Sequence, residues 1–283
     1  MKILVTGGAG FVGSNLCEKL AKDSDNEVIS LDNYFTGSAD NHIAGVEYVF
    51  GDTMDISNIF GTQQFDLIYH LGEYSRVEQS FDAFDLIHNY NIIGTKAVLD
   101  FVKTSGAKLI YSGSSTKFAD ETEGYIMSPY AWTKKVNTEL VIKYGEWYGI
   151  DYAISYFYNV YGPREIRKGK YATLIAMFGE KIKNGENLTV VSPGTQIRNF
   201  THVSDIVSAL ILIGEHGHGD GYGIGHSHGY TIFQVAQMFG GEVEMLPERK
   251  GNRMSAPVVT TRTKDLGWFP KLSLPEYIAK EIK

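Results

Sequence analysis

The chain has 283 residues, 43% hydrophobic and 21% charged, with a formal net charge of −7 and one cysteine, Cys17. That balance suits a globular core of one large or two small domains. It excludes an intrachain disulfide, gives nucleic acid or an anionic membrane no cationic block to meet, and holds no apolar run near the roughly 18 residues of a membrane span.

Ile3-Leu4-Val5 is an apolar run that reads as a strand buried on both faces of a parallel sheet. It begins right after the N-terminus with no signal segment before it, so a reducing, cytoplasmic setting is expected. Thr6-Gly7-Gly8-Ala9-Gly10-Phe11-Val12-Gly13-Ser14 follows, and from Phe11 the pattern turns helical. In such a strand–glycine–helix unit one glycine turns sharply at positive φ, another lets backbone N–H groups approach a pyrophosphate, and a third lets the helix pack on the strand. The helix N-terminus adds unpaired donors that favour an anion. The turn alone fits any strand-to-helix connection. Here the next strand, Glu27 to Leu31, ends at Asp32, whose carboxylate can accept ribose hydroxyls and repel a 2′-phosphate. A dinucleotide site is expected, with NAD ahead of NADP.

Strand and helix patterns then alternate. Val46 to Phe50 reads as a third strand ending at Gly51-Asp52, and Asp66 to Tyr69 as a fourth ending at His70-Leu71-Gly72. A long helix is expected from about Phe81 to Lys103. Ala107 to Tyr111 is a fifth strand, a helix from Pro129 to Tyr148 starts on a proline in its first turn, and Asp151 to Phe157 is a sixth strand. The alternation predicts an α/β, Rossmann-type doubly wound parallel sheet, with its ligand beyond the carboxyl ends of the strands. Gly7, Asp32, Asp52, Leu71, Ser114 and Asn159 all fall at those ends.

After Asn159 the rhythm changes. Gly162-Pro163 breaks the chain, and the basic loop Arg164 to Lys170 reads as solvated surface. A helix (Tyr171 to Lys183), short strands (Leu188 to Val191, Ile197 to Thr201) and a helix (Val203 to Ile213) follow. The expected division is a dinucleotide-binding domain over residues 1–160 and a smaller, partly discontinuous C-terminal substrate-binding lobe over 161–283. His216-x-His218 and His226-x-His228 alternate as strand ligands would, but their glycine surroundings read as loop, and no metal is expected. Trp132 and Trp147 read as core or dimer contacts.

Tyr130 and Lys134 are four apart at the start of a helix and so share a face. An ammonium beside a phenol favours the phenolate, which makes the pair a candidate general base. On spacing alone a surface pair is the plainer reading. The serine at the end of the fifth strand and the dinucleotide turn favour the catalytic one.

These motifs together resemble the extended short-chain dehydrogenase/reductase group, the NAD-dependent epimerase/dehydratase family, and most of all its UDP-glucose 4-epimerase branch. The resemblance rests on the turn from Thr6 to Ser14, Leu31-Asp32-Asn33, Gly51-Asp52, His70-Leu71, Asn91 with Gly94-Thr95, Ser114, and Ser128-Pro129-Tyr130 with Lys134. It continues through Asn159 to Arg164 and Arg198-Asn199-Phe200 with His202-Val203 and Asp205, and reaches Leu266-Gly267-Trp268. It implies that Ser114, Tyr130 and Lys134 are the catalytic set and that Lys134 also holds the nicotinamide ribose. It assigns Gly7, Gly10, Phe11, Val12 and Gly13 to the pyrophosphate and Asp32 and Asn33 to the adenosine ribose. Asp52 would take the adenine amine, with Thr53 and Asn91 also on the cofactor, and Leu71, Gly72 and Tyr158 would line it. Asn159, Arg198 and Arg249 would grip the substrate diphosphate and nucleoside, and Glu73, Arg76 and Ser115 would join Ser114 on the substrate. A homodimer packed through the two long helices is implied as well.

The chain departs from the family pattern in places. Phe118 stands where a tyrosine is usual, Gly113 interrupts the serine cluster, and Asn199 replaces an aspartate. Gly72-Glu73 replaces two small apolar residues and brings a carboxylate toward the nicotinamide. The segment from Ala119 to Met127 and the C-terminal lobe are short. The expected activity is 4-epimerisation of a nucleotide-linked hexose. A 4,6-dehydratase would want an Asp-Glu pair where Ser115-Thr116 stand, with Glu73 as the conceivable substitute; a C4 dehydrogenase or reductase also fits. A non-catalytic NAD sensor would be expected to have lost Tyr130 or Lys134. The nucleotide and the hexose stay open.

Overall fold

The computed structural model describes residues 1–118, 128–248 and 254–281. β1 (Lys2–Thr6) enters the glycine turn and α1 (Phe11–Leu20) leaves it, followed by β2 (Glu27–Asp32) and β3 (Val46–Phe50). α2 (Ile56–Phe60) leads to β4 (Leu67–His70), then α3 (Phe84–Ile87), α4 (Gly94–Ser105), β5 (Lys108–Ser114), α5 (Pro129–Tyr148) and β6 (Tyr152–Phe157). Beyond β7 (Val160–Tyr161) come α6 (Leu174–Lys183), β8 (Leu188–Val191), β9 (Ile197–Arg198), β10 (Thr201–His202), α7 (Val203–His216) and β11 (Gly219–Ile224). The chain closes with β12 (Tyr230–Thr231), α8 (Ile232–Phe239), β13 (Val243–Leu246), α9 (Thr261–Asp265) and α10 (Leu274–Glu281).

Seven strands form one sheet in the order β3-β2-β1-β4-β5-β6-β11, and every pairing is parallel. The order reverses at β1, so the crevice between the ends of β1 and β4 is the topological switch point, where such sheets bind ligands. Successive strand residues face opposite ways. Ile3 and Val5 pack with Leu16 of α1 and Leu210 and Ile213 of α7. Leu4 packs on the other side with Ile56 of α2, Val98 and Phe101 of α4 and Val141 of α5. A doubly wound α/β sheet is therefore what the alternation produces.

The chain leaves the sheet after β6 and returns to it through α7 and β11. The smaller lobe is thus interleaved with the larger unit. Its separate core brings Phe178, Val190, Val235, Phe239 and Leu274 together from α6, β8, α8 and α10, and β8 pairs with β13.

The expected long helix from Phe81 to Lys103 is broken. A 3-10 turn (Glu78–Phe81) precedes α3, and a π-helical segment (His88–Ile93) separates α3 from α4. The cause lies in Asn91, which is fully buried. Its amide accepts from Tyr74 N at 2.7 Å and donates to Tyr74 O at 3.2 Å and Thr133 Oγ1 at 3.0 Å, while its backbone carbonyl accepts from Asn137 Nδ2 at 2.9 Å. A carbonyl drawn sideways in this way loosens the i to i−4 ladder, and π turns of this kind cluster at functional sites. The expected strand from Ile197 to Thr201 is two short pieces, β9 and β10. The helix expected from Tyr171 begins at Leu174, and the one expected to end at Ile213 runs on to His216. Trp132 and Trp147 are 40% and 61% exposed, so neither is core.

Backbone crowding at the turn makes a sharp expectation. Gly7 has φ +75°, and a Cβ there would stand 2.9 Å from Gly72 Cα; a Cβ on Gly13 would overlap the Gly7 carbonyl. Gly13→Ala should cost about 1–3 kcal/mol of stability by overpacking and lower dinucleotide affinity at least about tenfold by moving the donors that face the pyrophosphate. Thermal unfolding and cofactor titration of the variant measure both. Unchanged affinity would contradict the role given to the turn.

Candidate active site

A cavity of about 550 Å³ opens at the carboxyl ends of the strands. At one end it is walled by the turn (Gly7, Gly10, Phe11, Val12, Gly13) and by Asp32, Asn33, Asp52 and Thr53. Gly7 N donates to Leu31 O at 2.8 Å and Gly10 N to Gly7 O at 3.1 Å, which ties the turn to the neighbouring strand. The Asp32 carboxylate accepts from Ala9 N at 2.9 Å and Tyr34 N at 2.8 Å. Burial pushes its pKa up and those backbone donors pull it back. Each of its oxygens keeps a lone pair for a ribose hydroxyl. Asn33 Nδ2 donates to Asp52 Oδ1 at 2.5 Å, tying the ends of β2 and β3 together.

In the middle of the cavity stands α5. Its N-cap is Ser128, whose Oγ accepts from Ala131 N at 3.1 Å, and Pro129 follows in the first turn. This start points Tyr130, Lys134 and Asn137 to one face. Tyr130 and Lys134 line the cavity together with Ser114, at the end of β5. The Lys134 ammonium is paired with the Glu73 carboxylate and donates to Ser112 O at 2.6 Å. Both side chains are buried, Glu73 to 1% exposure and Lys134 to 5%. Glu73 Oε1 also accepts from Thr95 Oγ1 at 2.9 Å, Asn137 Nδ2 at 2.8 Å and Tyr111 OH at 3.2 Å.

The network continues to β1. Thr6 Oγ1 accepts from Leu71 N at 3.2 Å and Gly72 N at 3.0 Å and lies 2.7 Å from His70 Nδ1, while His70 Nε2 lies 3.0 Å from Thr95 Oγ1. Complete burial lowers the His70 pKa to about 4, so the ring is neutral at pH 7. Thr95 spends its proton on Glu73, so His70 carries its proton on Nε2 and Thr6 donates to Nδ1. An unbroken chain of donors thus runs from the glycine turn to Glu73 and Lys134.

At its other end the cavity is walled by Arg76, Asn159, Glu165, Tyr171 and Arg198. Arg76 Nε and Nη2 donate to Tyr171 O at 3.1 and 2.8 Å, and Nη1 donates to Ser75 O and Oγ, both at 3.1 Å. Its charge lies within electrostatic reach of Tyr130, Tyr74 and Glu165, and burial lowers its pKa. Glu165 Oε2 accepts from Gly162 N at 2.8 Å, while Oε1 is buried with no hydrogen-bond partner among the described residues. Burial pushes its carboxyl up to about 7.

The sequence profile of the NAD dependent epimerase/dehydratase family matches residues 3–225. The chain belongs to that family. It is 33% identical over 300 residues to UDP-glucuronic acid decarboxylase 6 of Arabidopsis thaliana, covering 98% of this chain and 86% of that protein. Its structure is similar to that of a UDP-glucose 4-epimerase with UDP-glucose from Thermotoga maritima, with TM-score 0.93 and 28% identity over 100% of this chain and 97% of the other. A Thermus thermophilus UDP-glucose 4-epimerase complex with NAD is similar at TM-score 0.90 and 27% identity, over 100% and 98% of the two chains. The cofactor is NAD, and the Gly7/Gly72 approach and the Asp32 carboxylate fit it.

In this epimerase/dehydratase the cavity gathers most of the residues singled out in the sequence: Ser114, Ser115, Tyr130, Lys134, Leu71, Gly72, Tyr158, Asn159 and Arg198 all line it. Two expectations are corrected. Asn91 does not reach the cavity; it pins the loop at Tyr74 to α5. Glu73 borders the cavity, but its side chain is 1% exposed and its carboxylate accepts from Lys134, Thr95, Tyr111 and Asn137, so its geometry is that of a buried partner. The Tyr158 hydroxyl donates to Pro257 O and accepts from Val259 N, each at 2.9 Å. Arg249 lies outside the described residues, as does the segment Ala119 to Met127. The Glu73 network escaped sequence reading because its members lie far apart in the chain; only the unusual Gly72-Glu73 pair signalled it.

The other departures have local causes. A Cβ at Gly113 would meet the Tyr156 ring at 2.5 Å. Phe118 packs edge-on to the same ring, with centroids 5.0 Å apart. Asn199 Nδ2 donates to His226 O at 3.0 Å and Ser227 O at 3.2 Å, bonds an aspartate has no hydrogen to make. The basic loop is paired, with Arg164 on Glu18, Arg167 on Glu281 and Lys168 on Glu180.

Glu165 sets a pH dependence. Its folded-state pKa of about 7 lies above the ordinary 4.5. Its contribution to stability is therefore complete below the ordinary range and is lost as pH rises through about 7. Glu165→Gln, which keeps the acceptor for Gly162 N, should stabilise the protein by about 2–3 kcal/mol more at about pH 8 than at about pH 5. Melting temperatures of both proteins at both pH values measure it. An equal effect at the two would show that Glu165 does not carry that penalty.

Proposed function

We propose that the protein is a nucleotide-sugar 4-epimerase in which Ser114, Tyr130 and Lys134 act on the hexose C4. The observation that supports the reading is that Tyr130, Lys134 and Ser114 line one cavity, with Ser115-Thr116 where a dehydratase would want acids. Tyr130 takes the proton of the C4 hydroxyl and later gives one back. Ser114 Oγ, which accepts from Thr116 Oγ1 at 3.0 Å, donates its own proton to the sugar oxygen. Lys134 stabilises the charge on the Tyr130 oxygen. NAD, when bound, supplies the acceptor for the C4 hydride and returns it. The neutral keto sugar must turn over within the cavity between the two transfers. No external oxidant is needed.

The nucleotide diphosphate falls to Asn159 and Arg198, at the cavity end beside β7 and β9. This assigns cofactor to the sheet unit and substrate largely to the lobe beyond Asn159. A homodimer is supported by the apolar outer face of α3 and α5, where Phe84, Trp132 and Tyr148 are 46%, 40% and 48% exposed. A reduced, buried Cys17 fits the cytoplasm. Among the described residues no helix is long and apolar enough to cross a membrane.

A second reading is favoured by Arg76, a half-buried guanidinium near Tyr130 that has no carboxylate partner among the described residues. It suits a sugar acid, and the Arabidopsis relative is named a UDP-glucuronic acid decarboxylase. A 4-keto sugar acid carries its carboxylate β to a ketone and can lose carbon dioxide.

One experiment separates the chemistries: turnover of neutral and acidic nucleotide hexoses in deuterium oxide, followed by NMR. Epimerisation leaves C5 undeuterated and every carbon in place, and that is the expected result. Deuterium at C5 with a C6 methyl identifies dehydration; deuterium at C5 with loss of C6 identifies decarboxylation.

Tyr130→Phe should lower kcat about a hundred- to ten-thousand-fold while sparing folding and NAD binding, whose contacts lie at the turn and Asp32. Lys134→Met should weaken both rate and cofactor affinity, and Ser114→Ala should be milder. Steady-state rates beside NAD titration test the three. Retention of more than about a tenth of the rate by Tyr130→Phe would remove it as the base.

A further inference from the structure

We infer that Glu73 is a charge-compensating, positioning residue: it holds the Lys134 ammonium and biases the bound nicotinamide toward its oxidised form. The inference rests on the proposal that NAD works beside Tyr130 and Lys134.

The geometry removes Glu73 from direct chemistry. One carboxylate oxygen faces Lys134, and the other accepts from Thr95, Asn137 and Tyr111. A base needs a lone pair within reach of substrate, and this side chain is 1% exposed with Oε1 already accepting from three donors. Lys134 in turn has three N–H donors. Glu73 and the Ser112 carbonyl take two, so one remains for a ligand and its direction is set before any ligand arrives. Asn137, one turn beyond Lys134, holds Glu73 from the same helix, and Thr95 ties it to His70 and the glycine turn.

The charge has a separate consequence. The oxidised nicotinamide ring carries one positive charge and the reduced ring none. An unpaired ammonium near the ring therefore disfavours the oxidised form more than the reduced one. Pairing Lys134 with Glu73 makes the spot neutral while leaving an N–H to donate. Lys134 is four residues, about 6 Å along the helix axis, from Tyr130, so a ring that works with Tyr130 lies within its field. At an effective dielectric of about 20, an uncompensated unit charge within about 10 Å shifts an equilibrium by about tenfold. Favouring the oxidised cofactor favours the sugar alcohol over the keto sugar inside the closed site. Return of the hydride is then downhill, and the keto sugar is short-lived. An enzyme that must recycle its cofactor in place benefits from that bias.

The test is a competition that needs no turnover. Purified protein is equilibrated with mixtures of NAD+ and NADH and separated from free nucleotide, and the bound reduced fraction is read from the near-ultraviolet absorbance of the reduced ring. Ribose, pyrophosphate and adenine contacts cancel in the ratio, so a purely structural role of Glu73 would not move it. Glu73→Gln should enrich bound NADH about tenfold relative to wild type. Glu73→Ala, which leaves room for water beside the ammonium, should move the ratio the same way and serves if the glutamine variant does not fold. Glu73→Gln combined with Lys134→Met removes both charges and should bring the ratio back to within about threefold of wild type. An unchanged ratio in a folded single variant would overturn the inference, as would a double variant that stays at the single-variant value. Failure of both single variants to fold while the double variant folds would reduce Glu73 to a structural role. A wild-type protein that binds neither nucleotide would refute the proposed function instead.

Discussion

Two backbones pass at the switch point of the sheet with no room for a side chain between them. Gly7 at the end of β1 faces Gly72 beyond the end of β4, and the Thr6 hydroxyl accepts from the backbone N–H of Leu71 and of Gly72. This approach sets where the cofactor turn lies and where the chain after β4 must go. Because Gly72 is pinned, Glu73 is delivered under α5, and Lys134 finds a carboxylate waiting. The glycine turn and the Glu73–Lys134 pair are thus located by one close contact.

The Lys134–Glu73 pair is costly to bury. Taking two charges from water is repaid only when the remaining donors and acceptors are satisfied. Here Thr95, Tyr111, Asn137 and the Ser112 carbonyl supply those bonds, and neutral His70 passes the hydrogen-bond direction along from Thr6. A half-satisfied network would be worse than an apolar core. The π-helical segment around Asn91 belongs to the same economy: an irregular helix is tolerated because it frees a carbonyl for Asn137 and a side chain for Tyr74.

The wall of the cavity beyond β6 is built differently. Its wall comes from short pieces, β7, β9 and the loop after Gly162, that lie outside the main sheet. Arg76 and Glu165 face the cavity from two separate segments, and neither forms an ion pair with the other. One half-buried cation near Tyr130 and one carboxyl driven toward its neutral form by burial give that wall its electrostatic character.

Local sequence determined the parallel sheet, the glycine turn with Asp32, and the Tyr130–Lys134 face. Each depends on a short-range rule: apolar runs for buried strands, glycines where a Cβ has no space, and a four-residue spacing on one helix. Those rules need no partner from elsewhere in the chain, so they could be read directly. Tertiary structure decided that Glu73 is a buried partner of Lys134, that Asn91 holds a loop and does not line the cavity, that the helix before β5 is interrupted, and that α7 and β11 return to the sheet. It also decided that Arg76 has no carboxylate ion-pair partner among the described residues. Each of these depends on groups tens of residues apart meeting in a place without water. There a charge or an amide takes whatever partner the packing brings, and chain spacing carries no record of that choice.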